Sequence, residues 1–143
     1  MEIQEMRATF GKLQDQTLSL KPGLNCIYAP NESGKSTWSH FLRIMLYGLS
    51  TRERGDLADK NRFAPWSGAA MRGQLQVADG NGTSLTLSRD TRRANAPMGQ
   101  FACTYTGTAT AVPGTDGQNA GETLLGVPRE GFERSAFIRQ SAL

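Results

Sequence analysis

Apolar residues at Trp38, Phe41, Leu42, Met45, Leu46 and Leu49 recur at steps of three and four, which lines them along one stripe of an α-helix. Gly48 is a natural stop for it. His40 falls off the stripe, which predicts a solvated histidine on the helix surface rather than a ligand or a base. Two extended runs, Met71 to Val77 and Thr83 to Arg89, flank Asp79-Gly80-Asn81-Gly82. The Asp-Gly and Asn-Gly steps favour a tight turn and therefore an antiparallel hairpin.

The rest of the pattern is more broken. Ile3 to Phe10 and Thr17 to Leu20 read as strands, Lys21-Pro22-Gly23 as a turn, and Leu24 to Tyr28 as a buried strand. Ser50 to Gly68 mixes charges of both signs and ends in Phe63-Ala64-Pro65-Trp66, which predicts a loop or mobile segment with Trp66 as an anchor in the core. Asp90 to Gln100 is a polar loop, Phe101 to Thr110 a threonine-rich strand, and Ala111 to Ala120 a mobile connection. Short helices are expected at Gly121 to Leu125 and Pro128 to Arg134, and a final strand at Ser135 to Ile138. There is no repeat and no heptad run.

The 143 residues, 38 % of them hydrophobic, suffice for one globular domain. A net charge of +3 is too weak to argue for a nucleic-acid surface without a pattern behind it. Cys26, Cys103 and His40 are too few and too scattered for a structural zinc site, and both cysteines lie in apolar runs that suit buried free thiols in a reducing compartment. The N-terminus lacks the apolar run of a signal peptide or membrane span. The expected location is the cytoplasm, with no membrane partner.

Between the strand ending at Tyr28 and the helix lies Ala29-Pro30-Asn31-Glu32-Ser33-Gly34-Lys35-Ser36-Thr37. A strand, a flexible loop and Gly-Lys-Ser opening an amphipathic helix form the setting in which such a loop binds phosphate. Backbone N–H groups from Glu32, Ser33, Gly34 and on to Thr37 are expected to cradle the β-phosphate, helped by the positive end of the helix dipole. Lys35 then neutralises β- and γ-phosphate oxygens and Ser36 ligates Mg²⁺, which makes ATP and Mg²⁺ the expected cofactors. Ala29 stands where the usual first glycine would be, and it is tolerated if φ there is negative.

The string from Cys26 to Gly48 resembles the N-terminal ATPase-head segment of the SMC and SbcC class of ABC-type ATPases. Within that class it is most similar to the bacterial YhaN-like branch, through Pro30 to Thr37 and Leu46-Tyr47-Gly48. Further likeness lies in Phe10-Gly11, Asn61 to Trp66, the hairpin closing on Arg89, and Phe132-Glu133-Arg134 leading to Phe137-Ile138-Arg139-Gln140. The resemblance implies an α/β P-loop NTPase lobe of the ABC-head type, spanning residues 1–143. A mixed sheet would surround one central helix and carry an antiparallel β subdomain. It implies that Gln140 reaches Mg²⁺ and the attacking water, and that Asn31 contacts the terminal phosphate. It also implies a C-terminal lobe of the same protein beyond a long coiled coil, a head-to-head homodimer with ATP, and DNA and a metallophosphatase-type nuclease as partners in DNA double-strand-break repair or chromosome maintenance.

The Leu-Ser-Gly-Gly-type motif, the Asp-Glu pair after an apolar strand and the switch histidine of that class do not occur in these residues. Phosphoryl transfer needs the whole constellation, so nucleotide binding with negligible hydrolysis is the expectation. Arg52, Arg54 and Arg62 are interleaved with Glu53, Asp56 and Asp59, which fits a solvated loop better than a phosphate- or DNA-binding one. A stand-alone nucleotide-binding switch is the alternative. A GTPase is weaker, because Asp79-Gly80-Asn81-Gly82 sits in a hairpin and no Asn-Lys-x-Asp motif is present, and a small-molecule kinase is weaker because the middle of the chain reads as antiparallel strands rather than a longer parallel core.

Overall fold

The computed structural model describes residues 2–20, 35–50, 52–79 and 81–132, with only the backbone of residues 35 and 36. Five strands, β1 (Glu2–Phe10), β2 (Leu13–Ser19), β3 (Arg72–Ala78), β4 (Ser84–Asp90) and β5 (Gln100–Tyr105), form one sheet in the order β2-β1-β3-β4-β5. Every pairing among the described residues is antiparallel. The helices are α1 (Lys35–Tyr47), α2 (Asp59–Arg62) and α3 (Ala120–Leu125). Of the expected mixed sheet, the antiparallel part is thus present; Leu24 to Tyr28 and Ser135 to Ile138, both expected as strands, lie outside the described residues.

Period-two alternation decides what faces the helix. Met6, Ala8 and Phe10 of β1, Leu75 and Val77 of β3, Leu85 and Leu87 of β4 and Cys103 of β5 are buried on one face, while Arg72, Gln74, Thr86 and Ser88 point to the other and stay wholly or partly exposed. Helix α1 covers the apolar face with Phe41, Ile44, Met45 and Leu46, all fully buried. It can lie close because Gly73 has no side chain: a Cβ there would stand 2.5 Å from Phe41 Cζ and 2.8 Å from Met45 Sδ.

Several boundaries differ from the sequence expectation. The strand expected at Thr17 to Leu20 runs instead from Leu13 to Ser19, pairing Phe10 with Leu13 across the turn. Strand β5 stops at Tyr105 rather than Thr110, because Gly107 turns at φ 80° and the chain returns to bridge Thr104 with Ala111. The segment Ala111 to Ala120 is a set of hydrogen-bonded turns rather than a mobile connection: Asp116 Oδ1 accepts from the N–H groups of Gln118 and Asn119, and Asn119 Oδ1 accepts from Asp116 N–H. Within Ser50 to Gly68, α2 and the buried Phe63 order what reads as loop.

Trp66 is the clearest correction. It is 78 % exposed and does not anchor the core. Phe63 takes that place, stacked on Phe10 at 4.7 Å, and the backbone fixes the consequence, with Gly11 N–H donating to Phe63 O at 2.7 Å and Trp66 N–H to Gly11 O at 3.0 Å. With Phe63 turned inward, Trp66 is left on the solvent side.

Candidate nucleotide-binding site

Helix α1 is 13 residues long and begins at Lys35, where the Gly-Lys-Ser string places it. Its first-turn N–H groups, those of Lys35, Ser36 and Thr37 among them, have no partner inside the helix. The first turn carries no acidic side chain to satisfy or offset them. Such backbone donors at a helix start suit the oxygens of a phosphate group. Among the described residues no group of three or more His, Cys, Asp and Glu could hold a metal by itself.

Thr37 is half-buried, and its methyl group lies against the β1–β2 corner, 3.5 Å from where a Cβ of Gly11 would be. Gly11 has φ 56°, which only glycine adopts without cost and which lets the corner turn tightly beside the helix start. Asn31, Glu32, Ser33, Gly34 and Gln140, the other expected site residues, lie outside the described residues, as does Ala29.

The helix is held along its whole length. Near the front, His40 packs on Phe63 at 5.0 Å, and its Nδ1 lies 3.3 Å from Arg43 Nη2. His40 is therefore half-buried in a contact between α1 and the 52–66 segment, not a solvated surface group. Arg43 donates to Asp59 Oδ2 at 3.0 Å, a pair only 7 % and 16 % exposed. At the rear, Arg89 Nε donates to Met45 O at 2.9 Å and its Nη2 to Gly117 O at 2.6 Å. Burial lowers the Arg89 pKa to about 10, against a smaller opposing effect of Asp116, so the guanidinium is charged at neutral pH.

Leu46-Tyr47-Gly48 ends α1, and each member has a separate task. Leu46 is fully buried. Tyr47 donates its hydroxyl to Val127 O at 2.9 Å, and burial raises its pKa, with a smaller contribution from Glu122. Gly48 adopts φ 89° where a Cβ would stand 2.9 Å from Gly117 O. Sequence reasoning missed Arg43, Asp59, Phe63 and Arg89. For Arg89 the signal existed, since alternation from Leu85 and Leu87 places it on the inner face. Arg52 and Arg54 are exposed, and Arg62 lies over the Phe63 ring at 4.8 Å.

A helix beginning at Lys35, held on the inner face of a β-sheet and carrying no acid in its first turn, fits an ATPase-type domain. The AAA domain family matches residues 3–137, and the chain belongs to that family, an AAA-type ATPase family typical of SMC- and SbcC-like proteins. No curated protein matches the chain. Membership points to nucleotide binding in an ATPase-type fold and implies the use of Mg²⁺ with it.

Proposed function

We propose that the chain binds MgATP at the start of α1 as the N-terminal half of an SMC- or SbcC-like ATPase head, close to the YhaN-like branch. The observation that carries the reading is the acid-free first turn of α1 at Lys35-Ser36-Thr37, in a chain matched almost throughout by an ATPase family. In this reading residues 32–37 supply backbone donors, Asn31 and Lys35 contact the terminal phosphates, and Ser36 provides one oxygen to the metal. Bound nucleotide would supply the phosphoryl group, and Mg²⁺ held with Ser36 would offset its negative charge.

Gln140 is assigned, by the same resemblance, to orient water beside the metal. The carboxylates and switch histidine for hydrolysis would come from a C-terminal lobe, and the opposing signature from a second head in a homodimer. DNA and a metallophosphatase-type nuclease are the partners proposed for the completed machine in the cytoplasm.

Titration with a fluorescent ATP analogue and Mg²⁺ tests the binding. Saturable binding is expected, weakened at least about tenfold in Lys35→Ala, the size of one lost charge-assisted contact. Wild-type binding no tighter than that of Lys35→Ala rejects the site. Steady hydrolysis by these residues alone, abolished by Lys35→Ala, rejects the half-head reading while keeping the site.

A further inference from the structure

The tip of the β3–β4 hairpin lies apart from the nucleotide site, yet it carries a reactive pair of residues. Six asparagines occur in the chain, and Asn81 is the one followed by glycine. Asparagine is a labile side chain, because the backbone nitrogen of the next residue can attack its amide carbon and close a five-membered ring. A Cβ on that next residue hinders the approach, and glycine has none.

The hairpin presents this pair to water. Asp79 Oδ1 accepts from Asn81 N–H at 2.8 Å and from Thr83 N–H at 2.9 Å, and Asp79 N–H donates to Thr83 O at 2.9 Å. Gly82 has φ 81°, the left-handed position that a short hairpin loop reserves for glycine. Asn81 enters these bonds through its backbone N–H and not its side chain, and residues 81–83 are exposed. Gly82 N–H is held by Asp79 O at 3.1 Å. That bond must open first, and a hairpin tip opens more readily than a core strand.

Other asparagines are placed differently. Asn61 Nδ2 donates to Gly55 O at 2.8 Å, and the N–H of Arg62 after it is tied to Ala58 O at 2.8 Å. Asn119 Oδ1 accepts from Asp116 N–H at 2.7 Å. Asn95 is exposed like Asn81 but precedes Ala96, so it separates the effect of exposure from that of the glycine.

We propose that Asn81 is a site of spontaneous modification in the folded chain. The Gly82 nitrogen bonds to Asn81 Cγ, the bond from Cγ to Nδ2 breaks, and the Gly82 proton passes through water to the leaving group, which departs as ammonia. Water then opens the cyclic imide at either carbonyl. One opening gives aspartate and the other isoaspartate, in which the main chain runs through the side-chain carbon. Either product adds a negative charge close to Asp79 and lowers the net charge from +3 to +2. Isoaspartate also lengthens the backbone by one carbon, so Asp79 Oδ1 no longer meets the N–H groups of residue 81 and Thr83 together. The hairpin then frays from its tip.

The test holds the full chain in mildly alkaline buffer at body temperature for two weeks, then maps its peptides by mass spectrometry, with isoaspartate resolved from aspartate by chromatography. Conversion at Asn81 is expected to exceed that at Asn61, Asn95 and Asn119 at least about tenfold. It should vanish at this position in Asn81→Gln, whose longer side chain disfavours the ring, and hydrogen exchange at Thr83 should rise in the modified fraction. The proposal is overturned by an intact Asn81, by conversion at any of the other three as fast, or by conversion that appears only when the chain is unfolded in urea.

Discussion

Arg89 Nε donates to the carbonyl of Met45, 44 residues away in sequence, and so ties the inner face of β4 to the last turn of α1. The same guanidinium reaches Gly117 O and lies 4.5 Å over the Phe101 ring. Replacing it by Met leaves two carbonyls without their donor, and a loss of about 2 kcal/mol in urea unfolding is expected. Arg89→Lys should lose a similar amount, because one ammonium lacks the planar fork that spans both carbonyls.

The pH behaviour of that residue follows from the sign of its shift. The folded pKa of about 10 lies below the ordinary guanidinium value, so the folded state holds this proton less tightly than the unfolded one. The resulting penalty is constant at every pH below about 10 and is relieved only above it. The stability difference between wild type and Arg89→Met should therefore be flat from about pH 6 to 9; a slope across that range would count against the assignment.

Gly73 is predicted to be intolerant of even a methyl group. The Cβ of Gly73→Ala would meet Phe41 and Met45, the side chains that seat α1 on the sheet. A loss of about 1–3 kcal/mol is expected from overpacking, together with weaker binding of the ATP analogue as the helix is displaced. Phe41→Leu in the same chain should recover part of both. Failure of that second change to help would mean that the backbone of Gly73, not the space above it, is what matters.

Arg43 and Asp59 should be energetically coupled. Their pair is mostly buried and joins α1 to α2, so Arg43→Met or Asp59→Asn alone is expected to cost about 1–3 kcal/mol. The double variant should cost less than the sum. Hydrogen exchange across 52–63 should rise in each, since this bond is one of the contacts that join that segment to the helix.

Asp15 and Arg7 form the contrasting case, an exposed pair at 2.8 Å. The hydrogen bond from Arg7 holds the Asp15 carboxyl below its ordinary value. A depressed carboxylate contributes stability above its unfolded pKa and loses it as pH falls through the folded one. NMR titration should show Asp15 ionising below 3.8, with the shift fading in 1 M salt or in Arg7→Gln. Thermal stability should scarcely change in that variant, because solvent screens the pair.

Local periodicity made much of this fold legible. The 3.6-residue stripe located α1, and alternation with an Asn-Gly turn located β3 and β4 to within a residue. What escaped depends on contacts between distant segments. Phe63 and Trp66 are both aromatic and close in sequence, and only pairing with Gly11 decides which one faces inward. His40 looked solvent-facing because the helix alone was considered, and the 52–66 segment that covers it is invisible to helical periodicity. The candidate site was readable as a motif, whereas the residues that brace it, Arg43 and Arg89, are charged groups at buried positions, which a hydrophobic pattern passes over.

The pairing of β1 with β3 also has a bearing on how the chain comes to be folded. Glu2 finds its partner at Ala78, so β1 must wait for β3 before this pairing can form. At roughly 5–20 residues per second of synthesis, the β1–β2 hairpin and the apolar stripe of α1 stand uncovered for several seconds. For that interval α1, which carries the candidate site, has no completed sheet to rest on, and this sets a window in which a chaperone, or aggregation, can reach the chain first.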